Sequence, residues 1–176
     1  MKKVKFIFSV VISVAVLAQV QAQKGQADVT AGPMVSIPFD KHVIPVIKTG
    51  IGLEATGEYL FSRKSGVLLQ LGITSFKIED NDYYEDKLKF FSVKLGYKYN
   101  LTTSGFFLNG LIGTDIEILY GENIGYASFT FGGGKRFSIK GGPFIDVGID
   151  YINGDTEERF NIKAAIGLTK IKRQNN

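Results

Sequence analysis

An alternation with a period of two residues, returning in eight long segments, constrains the fold of this 176-residue chain more than any other feature. Residues 46 to 61 show it in full. Ile47, Thr49, Ile51, Leu53, Ala55, Gly57, Tyr59 and Phe61 carry no charge, while Lys48, Gly50, Gly52, Glu54, Thr56 and Glu58 between them are charged, small or hydroxylated. Successive side chains of an extended strand point to opposite faces, so such a run has one uncharged face and one polar face. No helical periodicity of useful length follows residue 23. The 21 glycines and 22 large aromatics (14 Phe, 8 Tyr) agree, because glycine weakens helices and aromatic rings suit a pleated surface.

Seven further segments repeat the pattern, each closed by a turn signal. In the order 28–37, 66–78, 87–101, 105–120, 123–138, 142–152 and 158–171, uncharged residues such as Val35, Leu71, Val93, Ile112, Phe131, Ile149 and Ile166 alternate with polar ones such as Ser36, Gln70, Lys94, Asp115, Arg136, Asp150 and Lys163. The run Gly132 to Gly134 suggests a bulge or bend in the sixth segment. These runs mostly reach or exceed the roughly 9 to 11 residues a tilted strand needs to cross a bilayer, whereas strands of soluble proteins average about 5 to 6.

Residues 1 to 22 form a separate object: Lys2, Lys3 and Lys5, then the uncharged apolar run Phe6 to Leu17, then the small-residue exit Val20-Gln21-Ala22. That is the layout of a secretory signal, and its apolar run is too short to span a membrane as a helix. Residues 23–176 then make one domain, with 18 basic residues against 17 acidic ones. The basic character of the whole chain lies largely in the leader, which leaves no composition argument for nucleic-acid binding. No cysteine is present, so neither disulfides nor lipid attachment at a cysteine is available to an exported chain.

Three features point to a transmembrane barrel of a bacterial outer membrane over a secreted sandwich or a lipocalin-like soluble barrel. The uncharged face holds no charge in mid-strand, its exceptions Lys77, Lys89 and Lys170 standing near strand ends. Aromatic residues gather at both ends of that face: Tyr59, Phe61, Tyr97, Tyr99 and Phe106 at one level, Tyr120, Tyr151 and Phe160 at the other, as two interfacial girdles. An even strand number returns the chain to its starting side, where connections near 62–66, 101–105 and 138–142 are short and basic, while those on the far side are acidic. The expected fold is all-β: an eight-stranded antiparallel up-and-down transmembrane barrel with short loops.

Eight strands enclose only enough space for side chains or one small ligand. The polar face supplies six acids (Glu54, Glu58, Asp115, Glu117, Asp146, Asp150) and five bases (Lys48, Lys94, Lys98, Arg136, Lys163), a near balance that predicts mutual pairing across the lumen. Inward glycines, among them Gly32, Gly50, Gly52, Gly72, Gly96, Gly148 and Gly167, are expected to make room for the long basic side chains. The network either plugs the barrel or lines a narrow water path.

Motifs for chemistry are sparse. His42, the single histidine, lies in the first far-side loop, and Ser36 is near it, but no serine occurs in those loops to complete a hydrolytic site. The acidic run Glu79 to Asp86 lacks the spacing of a calcium loop, and Gly132-Gly133-Gly134-Lys135 lacks the following helix of a phosphate loop. Neither a catalytic residue, a metal site nor a cofactor is expected.

The leader, the eight long alternating strands and the short basic turns resemble the outer-membrane barrels of the OmpX and OmpA membrane-domain type. Leu95-Gly96-Tyr97-Lys98-Tyr99 and Gly132 to Phe137 are similar to segments of porin-family or PorT-like barrel proteins. That resemblance implies a monomer in contact with outer-membrane lipid and lipopolysaccharide, without enzymatic activity. A narrow passive pore and a lipid-modifying enzyme are the alternatives. The chain departs from the pattern at its end, Lys172 to Asn176, which lacks a terminal aromatic.

Overall fold

Backbone hydrogen bonds decide this architecture, because a strand that alternates along its length can satisfy its amides only against neighbouring strands. The computed structural model describes residues 26–39, 47–62, 64–77, 87–101, 104–119, 122–140, 142–154 and 158–170. They form β1 (Gln26–Pro38), β2 (Gly50–Leu60), β3 (Ser65–Lys77), β4 (Lys87–Asn100), β5 (Phe106–Leu119), β6 (Glu122–Ser138), β7 (Pro143–Gly154) and β8 (Glu158–Lys170). Each strand pairs antiparallel with its sequence neighbours, and β8 pairs with β1, so the sheet is a closed barrel without a free edge. The leader, His42, the run Glu79 to Asp86 and Tyr120 lie outside the described residues.

Both ends of the chain's strand array, the start of β1 and the end of β8, share one end of the barrel with the β2–β3, β4–β5 and β6–β7 turns; this is called the termini end below, and the opposite one the loop end. Two of these turns reverse through a glycine in the left-handed region, Gly105 at φ 88° and Gly142 at φ 106°. Main-chain bonds close them: Leu101 N donates to Phe106 O at 2.8 Å and Ile139 N to Pro143 O at 2.9 Å.

Burial alternates along the strands as the sequence predicts, and the uncharged face is the outer one. Ile51 at 72%, Phe131 at 64% and Ile166 at 66% exposure typify an apolar belt that includes Val29, Leu53, Leu71, Ile112, Phe129 and Ile149. The inner face holds Asp28, Glu58, Lys94, Lys98, Asp115, Asp150 and Arg159, all buried. A lipocalin-like barrel with its apolar face inside is therefore ruled out.

Three expectations change. β2 begins at Gly50 and not near residue 46, because Ile47 turns in to pack against the buried trio Phe76, Leu88 and Phe90. Lys48 is consequently exposed outside the strand, its amide donating to Lys77 O at 2.9 Å. No bulge forms at Gly132 to Gly134, which pair in unbroken register with Asp150, Ile149 and Gly148. The β1–β8 ladder, by contrast, skips Gly32 and Pro33 between the pairs Ala31–Ile166 and Met34–Lys163, where proline has no amide hydrogen to donate.

Candidate functional site in the barrel lumen

Alternation sends one residue in two of every strand inward, so the lumen is assembled from all eight strands. Its charges gather in three groups along the axis. At the termini end Arg136 of β6 reaches three carboxylates. Its Nε and Nη2 donate to the two oxygens of Asp146 at 2.8 Å each, Nη2 also donates to Glu58 Oε2 at 2.9 Å, and Nη1 donates to Asp28. Lys98 Nζ joins them, 2.9 Å from Glu58 and 3.5 Å from Asp146. The planar fork of arginine suits this role, since it can engage several acceptors at fixed angles. Phe144 covers the guanidinium at 3.7 Å and Phe107 lies 4.1 Å from Lys98 Nζ.

The middle group centres on Lys163 of β8, whose Nζ stands 2.8 Å from Glu54 and 2.6 Å from Asp150. Asn109 Nδ2 donates to Asp150 at 3.2 Å and Thr56 Oγ1 to Glu54 at 3.3 Å. Toward the loop end, Asp115 accepts from Arg159 Nη2 at 2.9 Å and stands 3.4 Å from Lys94 Nζ, which donates to Thr130 Oγ1 at 3.0 Å. Above them Phe76 and Phe90 meet edge to face at 5.7 Å, and Arg159 lies under Phe90 at 5.0 Å. A small cavity of about 40 Å³ remains between the first two groups, bordered by Glu54, Glu58, Lys98, Asn109, Asp146 and Lys163. It has the volume of about three water molecules.

Of the eleven charged residues predicted to face inward, nine (Glu54, Glu58, Lys94, Lys98, Asp115, Arg136, Asp146, Asp150, Lys163) meet in these groups. Glu117 stands half-buried beyond the last group, hydrogen-bonded to the Tyr126 hydroxyl, and Lys48 is outside the lumen. Asp28 and Arg159, both almost wholly buried, complete the groups although sequence reasoning passed over them. Their signal was the phase: Asp28 precedes the inward Thr30 by two residues, and Arg159 precedes Asn161 by two. With Lys48 removed and these two added, the described inward face has seven acids and five bases.

Most of the inward glycines serve a different purpose from the one expected. A side chain at Gly50 would meet the Phe76 ring at 2.7 Å, one at Gly134 the Phe107 ring at 2.8 Å, and one at Gly167 the Phe144 ring. Two inward glycines do border a basic chain: the added carbon lies 2.9 Å from Lys94 Cγ at Gly113 and 3.6 Å from Lys163 Cε at Gly148. Elsewhere room is made chiefly for rings and for neighbouring backbone.

On the outer surface Phe61, Tyr97, Tyr99 and Phe106 are exposed near the termini end, with Tyr59 half-buried among them. Phe61 and Tyr97 lie 6.2 Å apart, Tyr97 donates to Ser65 at 2.7 Å, and Lys135 rests 4.8 Å from the Phe106 ring. Near the loop end Tyr151 and Phe160 are joined by Phe39, stacked on Phe160 at 4.8 Å.

No protein-family model and no curated protein matches the sequence. Among solved structures, the attachment invasion locus protein Ail of Yersinia pestis superposes with a TM-score of 0.61 at 18% identity, covering 84% of this chain and 100% of its own. OprG from Pseudomonas aeruginosa gives 0.61 at 13% identity, over 84% of this chain and 97% of that one. Neisserial surface protein A gives 0.53 at 11%, over 82% and 95%. At such identities the likeness is one of architecture, and the chain has the eight-stranded fold of the OmpX-like outer-membrane barrels.

Proposed function

We propose that this protein is a non-enzymatic barrel of the bacterial outer membrane, exported by residues 1–22, with a structural or interaction role and a lumen sealed by its paired charges. One observation carries the reading: an exposed, uncharged belt surrounds a polar interior whose charged side chains pair across the lumen in three groups. Water does not favour a continuous apolar surface of that extent, whereas hydrocarbon does, and hydrocarbon admits only closed barrels or helices. The girdles Tyr59, Phe61, Tyr97, Tyr99, Phe106, Tyr151 and Phe160 then sit at the two headgroup levels, and the surrounding partners are outer-membrane lipid and lipopolysaccharide. Arg136, Lys98, Glu58 and Asp146 seal one half of the lumen, and the rings of Phe76 and Phe90 seal the other.

Refolded protein in planar bilayers tests this reading. Insertion is followed by heat-modifiable migration on a gel, and silence in single-channel recording is the expected result. Steady conductance from inserted protein would overturn the plug and favour a pore.

A further inference from the structure

We propose that the lumen cavity between the first two charge groups binds a small monovalent cation, of the size of sodium, through oxygen atoms. The proposal rests on the sealed lumen argued above and gives it an occupant. At the termini end Asp28, Glu58 and Asp146 face Arg136 and Lys98, three acids to two bases. In the middle Glu54 and Asp150 face Lys163, two acids to one base. Each group therefore carries one negative charge that no base among the described residues balances. The cavity lies where the two groups meet, with Glu54, Glu58, Lys98, Asp146 and Lys163 on its wall. Toward the loop end the sign reverses, since Asp115 faces both Arg159 and Lys94. An unbalanced charge removed from water is costly, so the two acidic groups call for a cation between them.

Two oxygens of wall residues define what that occupant must offer. Glu58 and Asn109 each keep only 5% of their surface exposed, and Glu58 Oε1 and Asn109 Oδ1 accept no hydrogen bond. The other arm of each side chain is engaged: Glu58 Oε2 accepts from Lys98 and Arg136, and Asn109 Nδ2 donates to Asp150. Buried acceptors are nearly always satisfied, and a hard cation satisfies them while supplying the missing charge, which water does not. A volume of about 40 Å³ admits such an ion with a water beside it and is too small for a quaternary ammonium ion. Among the described residues no three acidic, histidine or cysteine side chains converge to hold a multivalent metal, which leaves the singly charged ions.

Urea unfolding of the refolded full chain in zwitterionic lipid vesicles, with EDTA present, reads the ion as a ligand of the folded state. Sodium chloride is titrated against choline chloride at constant ionic strength. The folding equilibrium constant should stay level below the dissociation constant of sodium and rise about tenfold for each decade above it. Glu58→Gln removes one charge and one carboxylate oxygen, and should move that rise to sodium concentrations at least about tenfold higher. Ala165→Leu fills the cavity from its wall without altering a charge, and should abolish the rise. Asp115→Asn, in the loop-end group, should leave it where it is. A flat titration overturns the proposal, and so does a sodium response that survives Ala165→Leu. Stabilisation on acidification alone, equal in sodium and choline, also overturns it and assigns the missing charge to protons. Should either lumen variant fail to fold, sodium NMR decides: broadening of the sodium line by the folded and not by the urea-unfolded chain is expected, and equal broadening overturns the site. Steady single-channel conductance would instead sink the sealed lumen on which the proposal rests, and is read independently of stability.

Discussion

Arg136 offers the sharpest test of how the lumen is held, because one side chain engages carboxylates from β1, β2 and β7. Arg136→Met keeps an apolar stem beneath Phe144 and removes the fork, leaving Glu58 and Asp146 with Lys98, and Asp28 with Gln26. Four bonds are lost, and at roughly 1.5 to 3 kcal/mol for each bond to a charged group the sum is an upper bound of about 6 to 12 kcal/mol. Two features reduce it: the side chain keeps 18% of its surface exposed, and Lys98 still neutralises part of the acidic group. The value expected for stripping one partner from a buried ion pair, about 3 to 5 kcal/mol, is then the working figure. Urea unfolding of the barrel in lipid vesicles, followed by circular dichroism and gel migration, measures it. Pairing Arg136→Met with Asp146→Asn should cost less than the two single changes added together, with a coupling of about 1 to 3 kcal/mol. A loss below about 1 kcal/mol for Arg136→Met would refute the premise that buried pairing organises this lumen.

Two further perturbations probe the walls by the same unfolding assay. Leu71→Arg, on the outer face between Ala55 and Val93, should cost about 2 to 4 kcal/mol in a bilayer, whereas Gln70→Arg, pointing into the lumen near Glu54 and Glu58, should cost less than half as much; equal tolerance would mean the faces are assigned wrongly. Gly167→Ala forces a methyl group into the Phe144 ring and should cost about 1 to 3 kcal/mol, while Gly57→Ala, where the added carbon meets nothing within 4 Å, should stay within about 0.5 kcal/mol.

Strand number, closure and the facing of nearly every residue were legible because all three follow from one local variable, the parity of each position within its strand. Asp28 and Arg159 share the phase of Thr30 and Asn161, and extending the alternation to the strand ends would have found both. Lys48 was misassigned for the opposite reason: parity holds only while the chain stays extended, and with Ile47 packed on Phe76, Leu88 and Phe90 the strand begins only at Gly50, beyond Lys48. The glycine partners were beyond reach. That Gly167 faces the ring of Phe144, or Gly50 that of Phe76, depends on the stagger between strands, which no single segment encodes.

The same dependence on closure explains how the barrel holds its closing seam. The β1–β8 seam lacks ladder pairs at Gly32 and Pro33, yet in hydrocarbon an unpaired stretch of backbone is costly. At that height Glu54 of β2 is the ladder partner of Gly32, and it accepts from Lys163 of β8, so an ion pair crosses over β1 where its own hydrogen bonds to β8 stop. Asn161 Nδ2 reaches Met34 Sδ across the seam just beyond. Glu54 and Lys163 are 109 residues apart, as Asp28 and Arg136 are 108, and neither pair can form in an open sheet. In the open sheet their charges stay hydrated; on closure they lose that hydration and regain it only from each other. Sealing the seam and pairing the lumen are therefore one event, which predicts a single cooperative unfolding transition whose midpoint, more than its slope, moves when Glu54→Gln removes the bridge. An additional transition in that variant, with β1 and β8 separating first, would show that the seam stands without the lumen.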